Sequence, residues 1–313
     1  MHIPVLLKEV IDYLDPKANK NFIDCTLGEG GHALAILEKN GPKGKVLGIE
    51  RDSEIFKNTK YNPSTSSGLS RAESRDKILN TRYKNRLITV CDNFVNLKKI
   101  VNEQKFNEVS GILFDLGLSS WHLQECGRGF SFSKDEPLNM RLDGQQFKNE
   151  LTAYQIVNCW SEEEIERTLR QYGGEKFAKR IAERICLARK AKPIESTKQL
   201  AEIVKKAVPP NYEKGRINPA TRTFLALRIV VNQELENLEE TLPQTLDVLE
   251  KNGKVLVISF NSLEDRLVKN FFRTKEKQGL IKILTKKPVV AGGKELEENP
   301  RSRSASLRAA KKL

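Results

Sequence analysis

The sequence is poor in the residues that build metal sites and disulfide frameworks. Its 313 residues include three histidines, at positions 2, 32 and 122, and five cysteines, Cys25, Cys91, Cys126, Cys159 and Cys186. No two cysteines form a Cys-x-x-Cys pair. An odd number of scattered thiols fits a reducing compartment and argues against a disulfide framework or a zinc ribbon. So few histidines speak against a metal centre, and none is expected. Long apolar runs are also missing: no stretch approaches the roughly 18 consecutive apolar residues of a membrane span. The opening Met1-His2-Ile3-Pro4 lacks the basic region and apolar run of a secretory signal. These shortages predict a cytoplasmic protein with no membrane partner. The apolar share of 38% is too high for a disordered chain. The length allows one large or two medium domains with a core that needs no staple.

Acidic residues are the remaining shortage. Lys and Arg number 54 against 41 Asp and Glu, a formal net charge of +13. Such an excess favours a polyanionic partner, nucleic acid ahead of an anionic membrane surface.

Short β-branched runs ending in Gly or Asp are plentiful. They lie at Asn21–Gly28, Lys45–Arg51, Arg86–Asn93, Val109–Gly117 and, much later, Gly253–Phe260. Runs of this kind read as buried strands of a parallel sheet. Helix-like segments such as Ala33–Lys39 and Phe94–Glu103 alternate with them, which predicts a doubly wound α/β sheet. From Leu151 to about Pro209 the pattern is helical, with helices predicted to start at Ser161, to span Phe177–Arg189 and to span Ser196–Val208. Another is predicted over Thr221–Leu238, before the fifth strand. The simplest account is a helical domain inserted into the sheet domain. Residues 57–86, with Pro63-Ser-Thr-Ser-Ser-Gly68, read as a surface insertion.

The first strand runs into Asp24-Cys-Thr-Leu-Gly28-Glu-Gly30-Gly31-His32-Ala33, and Glu50 ends the next strand. Gly28-x-Gly30-x-x-Ala33 meets the dinucleotide fingerprint, and an acid about 20 residues on suits ribose hydroxyls. A nicotinamide dinucleotide and S-adenosylmethionine both present such a ribose. The second has no phosphate but carries a sulfonium and an amino group, which acids suit. Asp24, Glu29 and Asp115 supply acids near the loop and tilt the reading toward methyl transfer. Asp92 and Phe94, after the third strand, are placed to meet an adenine amino group and ring face; Phe94 serves equally as the first core residue of the next helix.

Four blocks then occur in order. They are Asp24-x-Thr26-x-Gly28-x-Gly30-Gly31-His32; Phe114-Asp115-Leu116-Gly117-Leu118-Ser119-Ser120, running on to Arg128-Gly129-Phe130-Ser131-Phe132 and Pro137–Asp143; Asn218-Pro219-Ala220-Thr221-Arg222-Thr223-Phe224; and Ser259-Phe260-Asn261-Ser262-Leu263-Glu264-Asp265-Arg266. The chain thereby resembles the bacterial small-subunit (16S) rRNA cytosine-N4 methyltransferases, the MraW family, over nearly its whole length apart from 57–86. The resemblance implies a Rossmann-like class I methyltransferase sheet with an inserted all-helical domain. Boundaries are expected at 1–122 and 215–313 for the sheet and 123–214 for an RNA-facing insert. It implies S-adenosylmethionine contacts from Gly30, Gly31, His32, Glu50, Phe94 and Asp115, with Gly28 in the same loop. Three positions depart from the family pattern. Glu50 stands for a usual Asp, and His122 stands for a Gln that touches the cofactor, so His122 inherits that expectation. Asn261 stands for a His, and an amide can hydrogen-bond but not transfer a proton.

Attack by a cytosine amine on a sulfonium methyl needs acceptors as charge develops. By position these are Asp115 with Ser119 or Ser120. Trp121, Phe130 and Phe132 are candidates to stack on a flipped base. Residues 175–192 hold seven Lys or Arg against two acids, with Lys179, Arg180, Arg184 and Arg189 as the expected contacts to 16S rRNA or the small subunit. Arg301–Lys312, with five basic residues and no acid, is a second candidate. Two other readings compete: an NAD-type oxidoreductase from the fingerprint alone, and a non-enzymatic RNA-binding assembly protein.

Overall fold

The computed structural model describes residues 4–58, 83, 85–143, 151–212 and 217–313. The insertion read at 57–86 therefore lies largely outside the described residues. The chain divides into two compact units, residues 1–117 with 235–313, and residues 118–234.

The first unit is a seven-stranded sheet. Its strands are β1 (Asn21–Asp24), β2 (Val46–Glu50), β3 (Leu87–Cys91), β4 (Val109–Asp115), β5 (Leu249–Ser259), β6 (Ile281–Ile283) and β7 (Ser306–Lys312). The spatial order is β3-β2-β1-β4-β5-β7-β6. β1 to β5 pair in parallel, and β7 is antiparallel to both β5 and β6. Side chains of a strand alternate between faces, and here both faces are buried. Phe22, Leu113, Leu256, Ile258 and Leu307 pack on one face, with α1 (Leu7–Leu14) and α2 (Gly31–Lys39). Ile23, Ile112, Phe114, Val255 and Val257 pack on the other, with α4 (Leu97–Glu103), α11 (Glu234–Val248) and α12 (Ser262–Lys277). Covering both faces is what requires the uninterrupted apolar runs seen in the sequence. The short α3 (Ser53–Asn58) follows β2.

The second unit is helical: α5 (Ser120–Gln124), α6 (Ala153–Cys159), α7 (Glu162–Gly173), α8 (Ala178–Ala191), α9 (Thr197–Ala207) and α10 (Thr221–Asn232). Capping boxes start α6, α7 and α9: Thr152 with Gln155, Ser161 with Glu164, Ser196 with Gln199. In each, the hydroxyl accepts the third amide while the longer side chain reaches back to the cap amide. α7 stops at Gly174, whose φ of 59° is the left-handed cap that glycine adopts freely. Ile156, Ile165, Leu169, Ile181, Ile185, Leu200, Phe224 and Leu227 share one core.

Three expectations change. The expected boundaries at 122 and 214 move to 117 and 234, because Phe224, Leu227 and Val231 of α10 and Leu118 pack in the helical core. The single helix read over Thr221–Leu238 is two, broken at Gln233 in left-handed backbone (φ 51°). Arg228 spans that break with a two-pronged ion pair to Glu234, both bonds 2.8 Å. Finally, much of the basic segment Arg301–Lys312 is β7, inside the sheet rather than offered to phosphate. Arg308 is 7% exposed and grips Asp265 of α12 at 2.6 and 2.9 Å. Lys312 donates to the carbonyls of Leu246 and Leu249, each at 2.6 Å.

Candidate active site

The ends of β1, β2 and β4 are tied to one another by the loop that leaves β1. The Cys25 amide continues the ladder to Leu113 of β4, and the Leu27 amide bonds Ile49 of β2, both at 2.9 Å. Thr26 joins two carboxylate residues. Its Oγ1 accepts the Asp115 amide at 2.7 Å, and its own amide donates to Asp24 Oδ1 at 3.1 Å. The Asp-x-Thr spacing was visible in the sequence, but this bridging role was not assigned to it.

Gly28 (φ 50°) and Gly30 (φ 80°) both take left-handed backbone, and Gly30 caps α2. A β-carbon on Gly31 would run into the Pro4 ring. Glu50 holds this loop from β2. One carboxylate oxygen accepts the Gly28 amide at 2.8 Å and the other accepts the Asp52 amide at 2.7 Å. Gly28, Gly30, Gly31 and Glu50 are thus brought together as the sequence led us to expect.

His32 and Asp115 also meet. His32 Nε2 lies 3.6 Å from Asp115 Oδ2, an ion-pair distance too long for a hydrogen bond. Both ring nitrogens of His32 and Oδ1 of Asp115 are buried with no hydrogen-bond partner. Buried polar atoms are almost always satisfied, so this cluster is shaped for polar groups from outside the chain. Burial pushes the Asp24 carboxyl up to about 6 and the Glu50 carboxyl up to about 7. Burial opposes a charge on His32 as well, but Asp115, Asp24 and Glu295 outweigh it and raise its pKa above the usual value.

Beyond β3, Asp92 Oδ1 accepts the Asn93 amide and the Asn96 side chain at 2.6 and 2.9 Å. Phe94 is half-buried and stands edge-on to Phe114, ring centroids 5.6 Å apart. Ser259, at the end of β5, keeps a buried hydroxyl with no hydrogen-bond partner. Its only advance signal was its place in a matched block.

Ser119, Ser120 and His122 belong to the helical unit. Ser119 caps α5, with its Oγ 2.9 Å from His122 Nδ1. Phe130 is 7% exposed in the helical core, and Phe132 packs edge-on to Phe224, so both rings fill that core rather than await a base. Trp121 lies under the Arg128 guanidinium, 4.9 Å from the ring centroid. Lys179, Arg180 and Arg184 are exposed on α8. Arg189 is not: it donates to the carbonyls of Val157 and Trp160 at 2.7 and 2.6 Å, closing the end of α6. Asn261, where the family has His, caps α12 by accepting the amides of Leu263 and Glu264 at 3.0 and 3.1 Å.

Comparison with known proteins places this geometry in a family. The model of the MraW methylase family matches residues 1–313. The chain is 43% identical over 312 residues to "Ribosomal RNA small subunit methyltransferase H" of Persephonella marina, covering all of this chain and 99% of that protein. It is 43% identical to the protein of the same name from Sulfurihydrogenibium azorense, and 41% identical to that of Clostridium botulinum strain Kyoto, with the same coverage. Whole-length agreement at that identity, on a sheet whose strand ends gather Asp24, Gly28, Gly30, Glu50 and Asp115, means that the chain belongs to the MraW methylase family.

Proposed function

We propose that this chain transfers a methyl group from S-adenosylmethionine to N4 of a cytidine in 16S ribosomal RNA. The observation that carries this reading is the glycine loop at positive φ, flanked by the buried carboxylates of Asp24 and Glu50 and the half-buried carboxylate of Asp115. A donor set of carboxylates fits a cationic, phosphate-free cofactor. A pyrophosphate would meet like charge there, which removes the support for the oxidoreductase reading. An intact loop flanked by three acids is equally at odds with a non-enzymatic assembly protein. The names of the relatives supply the substrate class.

S-adenosylmethionine, when bound, supplies a methyl activated by its sulfonium. The chain's own residues do the rest. Gly28 and Gly30 offer bare backbone to the methionine part, and Gly31, packed against Pro4, contributes its backbone to the same loop. Glu50 accepts from ribose hydroxyls, Phe94 covers the adenine, and His32 and Asp115 meet the polar groups between. Asp115 accepts from the target amine as it gains positive charge, with Ser119 or Ser120 as a further acceptor. For His122 the cofactor contact is carried by the family resemblance alone. Lys179, Arg180 and Arg184 hold phosphates; Arg189 drops out because its donors are already engaged. The helical unit, 118–234, is the RNA-facing part. Incubation with labelled S-adenosylmethionine and either small subunits or naked 16S rRNA, followed by nucleoside analysis, should yield N4-methylcytidine. Label confined to another nucleoside, or absent from both substrates, would overturn the reading.

Glu50 also sets a pH dependence. Ribose hydroxyls donate best to an ionised carboxylate, so binding favours the deprotonated form. By linkage, affinity then rises with pH through the Glu50 pKa near 7 and falls below it. Calorimetric titration should show cofactor affinity about tenfold weaker at pH 6 than at pH 8, the change in ionised fraction for one site near 7. Glu50→Gln should bind more weakly and lose most of that slope. A slope that survives the substitution would assign it to Asp24 or His32 instead.

A further inference from the structure

The strongest run of positive charge lies in the sheet unit. Residues 266–287 carry eight Lys or Arg against one acid, Glu276, a sharper imbalance than that of residues 175–192. Much of it sits on α12. That helix buries Glu264, Val268 and Phe272, spaced four apart, against the sheet. Arg266, Arg273 and Lys277 fall on the opposite face and are exposed, with Lys269 half-buried on the flank. None of the four has an ion-pair partner among the described residues. The acids of the helix are committed elsewhere: Glu264 to the cap, Asp265 to Arg308, and Glu276 to the Ile283 amide at 2.8 Å.

Nothing in the packing of α12 calls for this arrangement. Like charges three or four residues apart on a helix repel, and Arg266, Lys269, Arg273 and Lys277 stand at spacings of three, four and four. A polyanion laid along the outer face would turn that repulsion into attraction. The cations rise along about three turns, so they suit a linear row of charges rather than one small anion. The exposed apolar residues of this stretch are few, Leu280 at 47% being the large one before β6, which does not suit insertion into a lipid surface.

We propose that the outer face of α12 is a phosphate-binding surface for RNA, carried by the sheet unit itself and additional to α8. The proposal rests on the rRNA-methyltransferase reading for its choice of polyanion. Its test is the full chain with Arg266→Gln, Lys269→Gln, Arg273→Gln and Lys277→Gln combined, set beside Lys179→Gln, Arg180→Gln and Arg184→Gln combined. Binding to a 16S rRNA transcript is measured across a salt series. Each phosphate that is no longer neutralised should flatten the slope of log affinity against log salt by about 0.7–0.9. The α12 variant should flatten by about two or more and bind about tenfold or more weakly at physiological salt. Cofactor affinity and thermal midpoint should hold, or the midpoint should rise as repulsion is relieved.

An unchanged affinity and slope in a folded variant would overturn the proposal. So would flotation of the unmodified chain with phosphatidylglycerol vesicles that the α12 variant loses while its RNA binding stays intact. If the unmodified chain methylates the transcript while the variant binds it normally, the α12 proposal alone fails. If the unmodified chain binds RNA through α12 but methylates no cytidine, the functional reading fails and the surface stands.

Discussion

Gly30→Val should abolish cofactor binding and leave the protein folded. Gly30 sits at φ 80°, and its amide closes the turn on the Leu27 carbonyl at 2.7 Å. Holding a β-branched residue in left-handed backbone costs about 1–2 kcal/mol, so the loop relaxes toward negative φ and leaves its position between β1 and α2. Helix α2 itself stays anchored through Ala33, Ile36 and Leu37, all fully buried. Affinity by calorimetric titration should therefore drop by about 100-fold or more, equal to about 2.8 kcal/mol. Near-native circular dichroism and a cooperative melt would establish that the fold survives. Unchanged affinity in a folded variant would remove the loop from the site.

Asp115→Asn should lower turnover strongly and leave RNA binding almost untouched. The substitution keeps the shape of the side chain, and the Asp115 backbone is held independently by its amide bond to Thr26. What disappears is the negative charge facing His32, which on the proposed reading also meets the attacking amine. An acceptor aligned with charge that develops in the transition state is worth about 10²–10³ in turnover. The expected result is a fall of that order at saturating cofactor and RNA, with little change in the RNA dissociation constant. The opposite pattern, a raised Michaelis constant for S-adenosylmethionine with turnover near normal, would reduce Asp115 to a seat for the cofactor. Steady-state kinetics across cofactor concentrations separates the two.

Where a segment's environment follows from its own pattern, sequence and structure agree closely. Leu47, Ile49, Ile112 and Phe114 announce strands buried on both faces, because such strands have no polar side to show. Ser161 and Ser196 announce helix starts through a hydroxyl that only a helix N-terminus puts to use. The glycine loop and Glu50 are legible for the same reason. The failures share a different cause: their environment is supplied by distant residues. Arg308 and Lys312 look like free cations until Asp265 and the carbonyls of Leu246 and Leu249 are brought to them. Arg189 looks like its neighbours on α8 until the end of α6 arrives. Gln233 breaks a helix with no Gly or Pro to signal it, while Pro243 sits inside α11 without ending it. Phe130 and Phe132 read as aromatic platforms because one dimension cannot tell a wet ring from a packed one.

The sheet order also dictates when its pieces meet during synthesis. β4 pairs with β1 on one side and β5 on the other, yet the whole helical unit is translated between β4 and β5. At roughly 5–20 residues per second, β4 emerges with one edge open for on the order of ten seconds. That edge belongs to a strand whose Ile112, Leu113 and Phe114 are fully buried in the finished sheet, the kind of unpaired apolar border that invites pairing with the wrong chain. The helical unit, residues 118–234, is fully translated before β5 and has everything it needs to close in that interval. The nascent chain therefore passes through a stage in which a finished helical unit follows a half-built sheet, and any chaperone demand falls on the β4 edge.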